Sequence, residues 1–224
     1  MEITEAMRAR HSVRQYTDRM IETAAVSALQ SEIDACNRES GLHIQLVTND
    51  AAAFDGMMAH YGKFSGVRNY IALVGRKSSV LDESCGYYGE RLVLLAQTLG
   101  LNSCWVAMTF SKGAVRKKVD IRSGEKLSSV IAVGYGVTQG VSHKSKAMAE
   151  LCRADGDMPG WFRSGMEAAL LAPTAMNQQK FRITQHGGKA SAESLGGFYS
   201  DIDLGIVKYH FETGSGRGTG VWAS

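Results

Sequence analysis

Proline is nearly absent from this chain of 224 residues: only Pro159 and Pro173 occur, too few for a Pro-rich linker between domains. One domain is therefore expected over residues 1–224. Cysteine is also scarce. Cys36, Cys85, Cys104 and Cys152 form no Cys-x-x-Cys pair, which excludes a zinc ribbon and a thioredoxin motif and leaves four reduced, mostly buried thiols. Long apolar runs are missing: stretches such as Leu92 to Ala96 fall far short of a bilayer span, and the start Met1-Glu2-Ile3-Thr4-Glu5 carries acids where a signal peptide carries bases. A cytoplasmic protein with no membrane association is expected. Excess charge is small, with 25 Lys and Arg against 22 Asp and Glu, so the chain does not read as a nucleic-acid coat, although one local anionic ligand stays open. Six histidines lie without His-x-His or His-Glu-x-x-His spacing, and no metal site is expected. A Gly-x-Ser-x-Gly elbow is absent, and Gly134-Tyr135-Gly136 lacks the third glycine of a dinucleotide fingerprint. What is there, 44% hydrophobic and 21% charged residues, suits a soluble chain with one sizeable core.

Periodicity sets out the elements. Ile3 to Arg10 predicts a short helix, and Asp18 caps a second one with apolar Ile21, Ala24, Ala25, Ala28 and Leu29, ending before Gly41. Strands are expected at Leu42 to Val47, Tyr70 to Val74, Cys104 to Met108 and Ser129 to Val133. Between them, Cys85 to Leu99 reads as a helix buried on most sides and ended by Gly100, and Gly113 to Val119 as a basic surface helix. The last third follows a similar order: a helix from Met166 stopping before Pro173, a loop to Gln179, a strand at Lys180 to Thr184, a turn at Gly187-Gly188 and a helix from Asp203 to Glu212. Residues 1–150 thus form a main half, and 151–224 a shorter half that partly repeats it.

Three segments carry candidate chemistry. Arg10-His11-Ser12-Val13-Arg14 puts two guanidinium groups and a hydroxyl where one small anion, such as phosphate, could meet them; a solvated basic turn is the plain alternative. Lys144-Ser145-Lys146 could complete that site or be an exposed charged loop. Ala172 to Gln179 combines a proline, a hydroxyl and three side-chain amides, which suits the edge of a heteroaromatic ring or, equally, a polar turn after a helix stop. Trp105 on its strand is either core or a wall beside a planar group, and Tyr87 and Tyr88 read as packing.

Taken together, the segments resemble the FMN-dependent nitroreductase family. Arg10-His11-Ser12-Val13-Arg14 is similar to its N-terminal phosphate motif, and Gly86 to Leu99 to its central buried helix. Gly100-Leu101-Asn102-Ser103-Cys104-Trp105-Val106 is similar to its Gly-Leu-Gly-x-Cys-Trp-Ile segment beside the flavin. Ile131 to Gly136 with Lys144 and Lys146 resembles its closing strand and basic tail, and Pro173 to Gln179 its Pro-Ser-x-x-Asn-x-Gln loop. The likeness covers residues 1 to about 185. One departure stands out: that loop commonly follows the second helix, whereas here Ala35 to Gly41 has none and the matching residues lie near the C-terminus.

The resemblance implies an α+β fold, a central and mostly antiparallel sheet flanked by helices, with possible internal pseudo-duplication. It implies FMN as cofactor and NAD(P)H as electron donor, with ping-pong hydride transfer through flavin N5 to a nitroaromatic, quinone or related small-molecule acceptor. Arg10, Ser12, Arg14, Lys144 and Lys146 would hold the phosphate, with His11 near the ribityl chain or simply structural. Pro173, Thr174, Ala175, Asn177 and Gln179 would line the ring edge or the ribityl hydroxyls, and the Trp105-Val106 backbone would lie beside the ring. No protein general acid is required. Because family dimers share each flavin between subunits, the chain would act as a homodimer or as a monomeric mimic of one. The alternatives are a flavin-binding protein without efficient turnover and, resting on the basic runs alone, a phosphate- or nucleic-acid-binding module.

Overall fold

In the computed structural model, which describes residues 1–223, the main half runs α1 (Ile3–Ala9), α2 (Thr23–Ser40), β1 (Gln45–Val47), α3 (Met57–Tyr61), β2 (Tyr70–Arg76), α4 (Leu81–Thr98), β3 (Asn102–Val106), α5 (Lys112–Arg116) and β4 (Glu125–Gly134). The second half adds α6 (Met148–Leu151), β5 (Cys152–Ala154), α7 (Gly160–Ala169), β6 (Phe181–His186), β7 (Lys189–Ser194) and α8 (Ser200–Ser215). The main sheet has strand order β1-β2-β4-β3, and every pair in it is antiparallel. Both of its faces are covered, so Tyr70 to Gly75 are all buried. Alternation then divides the side chains. Ile71, Leu73, Ile131 and Val133 pack under α2 and α4, while Tyr70, Ala72, Val130 and Ala132 meet the opposite cluster around Phe54, Phe64 and Phe110. Strand β3 lies at the sheet edge, where Ser12 bridges to Ser103 and Val13 N donates to Ser103 O.

The second half forms its own small sheet. Strand β5 pairs parallel with β6, which turns through Gly187-Gly188, both with positive φ, into antiparallel β7. A third core of Phe162, Met166, Phe181, Ile183, Ile206 and Phe211 joins this sheet to α7 and α8. Helix α8 then crosses α4 at two glycines. A Cβ at Gly86 would lie 2.0 Å from Ile202 O, and one at Gly205 would lie 2.0 Å from Glu83 O. Each glycine thus touches the backbone three residues before the other. No described helix is long and apolar enough to cross a membrane.

Several expected boundaries shift. The second helix starts at Thr23 rather than after Asp18, because Gln15, Tyr16 and Thr17 are bound to Ser65, Gly136 and Tyr135 across the fold. Strand β1 begins at Gln45, since the backbone N–H and C=O of Ile44 are taken by the Asn37 side chain. Strand β3 is displaced towards its N-terminus by Asn102, whose side chain accepts from Gly136 N and donates to Gln139. Helix α4 starts at Leu81, α7 already at Gly160 behind Pro159, and the basic helix is a single turn capped by Ser111. Strands β5 and β7 are additional to the expected elements: β5 has only three residues, and β7 alternates exposed Lys189, Ser191 and Glu193 with inward Ala190, Ala192 and Ser194, a pattern whose small inward side chains give little apolar contrast.

Candidate active site

Where the edge of β3 meets the second half, a cavity of about 510 Å³ opens, a size suited to a small organic ligand. Its main-half wall includes Ser12, Arg14, Cys104, Trp105 and Val106; Pro173, Thr174, Ala175, Tyr199 and Asp203 form the wall from the second half. The fold therefore brings seven of the residues singled out in the sequence to one space, namely Ser12, Arg14, Trp105, Val106, Pro173, Thr174 and Ala175. Extended backbone from Arg10 onward, bridged to β3 at Ser12, delivers the basic motif there. Beyond that bridge no strand among the described residues pairs with the outer edge of β3, whose Cys104, Trp105 and Val106 line the cavity.

Arg10 stands behind this wall. It is 4% exposed, and its Nε and Nη1 have no hydrogen-bond partner. A buried guanidinium without an anion is costly, and its surroundings register the charge. His11 and His143 are held below the usual histidine range by burial, with Arg10 adding to the effect. Burial pushes the Cys104 thiol up, opposed by the charge of Arg14, the Ser12 hydroxyl and the charge of Arg10. The donor set fits an anion: Ser12 and Arg14 line the cavity, and two buried nitrogens of Arg10, on the same extended segment, have no protein acceptor. Ser129 Oγ, on β4 in the cavity wall, is a further buried polar atom without a partner.

The remaining expected residues lie outside the cavity wall. His11 packs against Gly140. The amides of Asn177 and Gln179 turn towards the 144–146 segment: Asn177 Nδ2 and Gln179 Nε2 donate to Lys144 O at 2.9 and 3.0 Å. Lys146 Nζ returns two bonds to the carbonyls of Gln178 and Gln179, and Lys146 N donates to Gln179 Oε1. This latch holds a loop in which Met176, Asn177 and Gln179 all have positive φ, a backbone state that non-glycine residues adopt only when the surroundings fix it. Pro173, Thr174, Ala175 and Met176 of this loop form the wall.

Asp203 was read from the sequence only as a helix start. In the fold its Oδ1 accepts from Ala175 N and its Oδ2 from Gln178 Nε2, both at 2.8 Å. Burial pushes its carboxyl up to about 6, against the pull of those two donors. Neither Asp203 nor Ser129 lies in a recognisable motif; the only signal was a polar residue set among apolar neighbours in a buried element.

Comparison with known proteins addresses the family and the fold. A family model described as "Putative TM nitroreductase" matches residues 2–215. A "putative nitroreductase" structure from Thermotoga maritima shares 22% identity and a TM-score of 0.64, covering 95% of this chain and 82% of that one. One from Desulfovibrio desulfuricans, solved in complex with FMN, shares 18% identity over 71% of this chain and 98% of that one, with a TM-score of 0.54. A "putative NADH dehydrogenase/NAD(P)H nitroreductase" from Parabacteroides distasonis shares 23% identity over 67% and 97%, with a TM-score of 0.53. No curated protein matches the chain. With the family model spanning nearly its whole length, the chain belongs to the nitroreductase family.

Proposed function

We propose that the chain is an FMN-dependent NAD(P)H oxidoreductase of nitroreductase type. The observation that carries this reading is Arg10, buried with two unpartnered nitrogens beside Ser12 and Arg14. A phosphate dianion supplies the missing acceptor. That a relative of the same fold was solved with FMN supports the choice of phosphate ester. When bound, FMN supplies hydride transfer between NAD(P)H and a small acceptor, a nitroaromatic or a quinone, in ping-pong order. Arg10, Ser12 and Arg14 hold the phosphate. Lys146 latches the loop that ends in Gln179, and with Lys144 it is assigned a supporting positive charge for the phosphate. The edge of β3 at Trp105 and Val106 offers peptide groups to the flavin ring, and Pro173, Thr174 and Ala175 close the other side. The four free thiols, all buried, fit work in a reducing cytoplasm.

A single chain supplies both walls, as two subunits do in a shared-site dimer. The reciprocal contact of Gly86 and Gly205 has the form of an isologous interface, in which each partner presents the same patch. We therefore assign one flavin to each chain, with the second half standing in for a partner subunit. The test is the visible spectrum of the purified protein before and after adding FMN, with stoichiometry from heat-released cofactor. About one flavin per chain is expected, with bound flavin reduced by NADH or NADPH faster than free FMN. Failure to bind FMN after reconstitution overturns the reading. Bound flavin reduced no faster than free FMN favours a flavin-binding protein without turnover.

A further inference from the structure

The reading above uses neither of two titratable side chains with no exposure at all: Glu90 on α4 and His210 on α8. His210 Nδ1 lies 3.0 Å from Ala168 O. A carbonyl only accepts, so Nδ1 carries a hydrogen. On the other side of the ring, Nε2 lies 2.9 Å from Glu90 Oε1, a separation spanned by one shared proton. The second oxygen, Glu90 Oε2, accepts from Trp105 Nε1–H at 2.8 Å. An unbroken chain of hydrogen bonds thus runs from α7 through α8 and α4 to the cavity wall on β3. The residue before Glu90 completes the grip: a Cβ at Gly89 would lie 2.3 Å from Cη2 of Trp105, so the indole rests directly on the helix backbone.

We propose that the Glu90–His210 pair is a positioning device for Trp105, locking its indole in one orientation so that the wall beside the bound ring is fixed. Apolar side chains of equal volume could fill this core, but they would leave the indole N–H without an acceptor and its rotation unset. His210 Nε2 pairs with the other oxygen of the buried Glu90 carboxyl, and Ala168 O satisfies the far side of the imidazole. Only the identity of the ring rests on the flavin reading.

Glu90→Gln preserves the chain, since its carbonyl accepts from Trp105 and its amide donates to His210 Nε2. Glu90→Leu breaks it; Glu90→Met is the second apolar variant should Leu at this position prevent folding. In flavin-free protein carrying ¹⁵N-labelled tryptophan, the Trp105 indole hydrogen should exchange slowly in wild type and Glu90→Gln and quickly in the apolar variant. In FMN titrations the apolar variant should weaken binding about 5- to 10-fold, Glu90→Gln less than about 2-fold. In a Trp105→Phe background the apolar substitution should cost less than about 2-fold. Equal weakening in both backgrounds, or unchanged indole exchange, overturns the proposal. If wild type binds no FMN, the flavin reading falls and the indole exchange still decides the role of the pair.

Discussion

Arg10→Met separates the anion role from a structural one because its two effects have opposite signs. Met keeps most of the buried aliphatic stem and removes the guanidinium. With FMN bound, the loss is that of charge-assisted hydrogen bonds to phosphate, about 1.5–3 kcal/mol, or roughly 10- to 150-fold in affinity. Riboflavin presents no phosphate, and its affinity should change by less than about 2-fold. Without ligand, Nε and Nη1 of Arg10 have no partner at 4% exposure, so the substitution relieves an uncompensated buried charge. Flavin-free protein should melt at the same temperature or higher, each 1 kcal/mol amounting to about 2–4 °C at this length. Fluorescence titration with both flavins, followed by thermal unfolding of the flavin-free protein, gives both signs. Equal weakening of FMN and riboflavin, together with a lower melting temperature, would show that Arg10 serves the core and not an anion.

Two further outcomes follow from the crossing helices and the loop. Gly86→Ala and Gly205→Ala each force a Cβ to 2.0 Å from a carbonyl oxygen, so each should cost about 1–3 kcal/mol or more, and the double variant less than the sum; additive losses by denaturant unfolding would mean the two glycines do not share one contact. Because the native carboxyl of Asp203 titrates at about 6 rather than 3.8, the folded state holds the proton more tightly than the unfolded chain. Its contribution is therefore greatest below about pH 4 and is lost as pH rises to about 6, a change of about 3 kcal/mol that Asp203→Asn should remove. Parallel stability curves for wild type and Asp203→Asn between those pH values would refute the assignment.

Local signals in the sequence carried the elements that are buried through their own pattern. The apolar run Tyr70 to Val74 and the helical spacing around Leu92 and Leu95 predict β2 and α4 because each buries that pattern against the sheet or the helix layer. Short-range chemistry was legible too: Arg10, Ser12 and Arg14 fall within five residues and so can serve one anion, and Pro173 stops a helix wherever it falls; that the segment is extended was decided by its bridge to β3. What failed was set by distant partners. The start of α2 waits on bonds to Ser65 and Tyr135; β7 differs, being a local hairpin onto β6 through Gly187-Gly188 whose small inward side chains hide its alternation.

The candidate site divides along the same line. Motif order carried the family resemblance and the expectation of a basic anion site, because those depend on residue type within a few positions. Only the tertiary structure decided that Asn177 and Gln179 turn to Lys144 O and away from the cavity, and that Asp203 and Ser129 line it. It alone joined Glu90 to His210, 120 residues apart. A side-chain amide, carboxylate or imidazole takes whichever buried donor or acceptor the packed chain brings within about 3 Å, and that choice is made between segments that no local pattern connects.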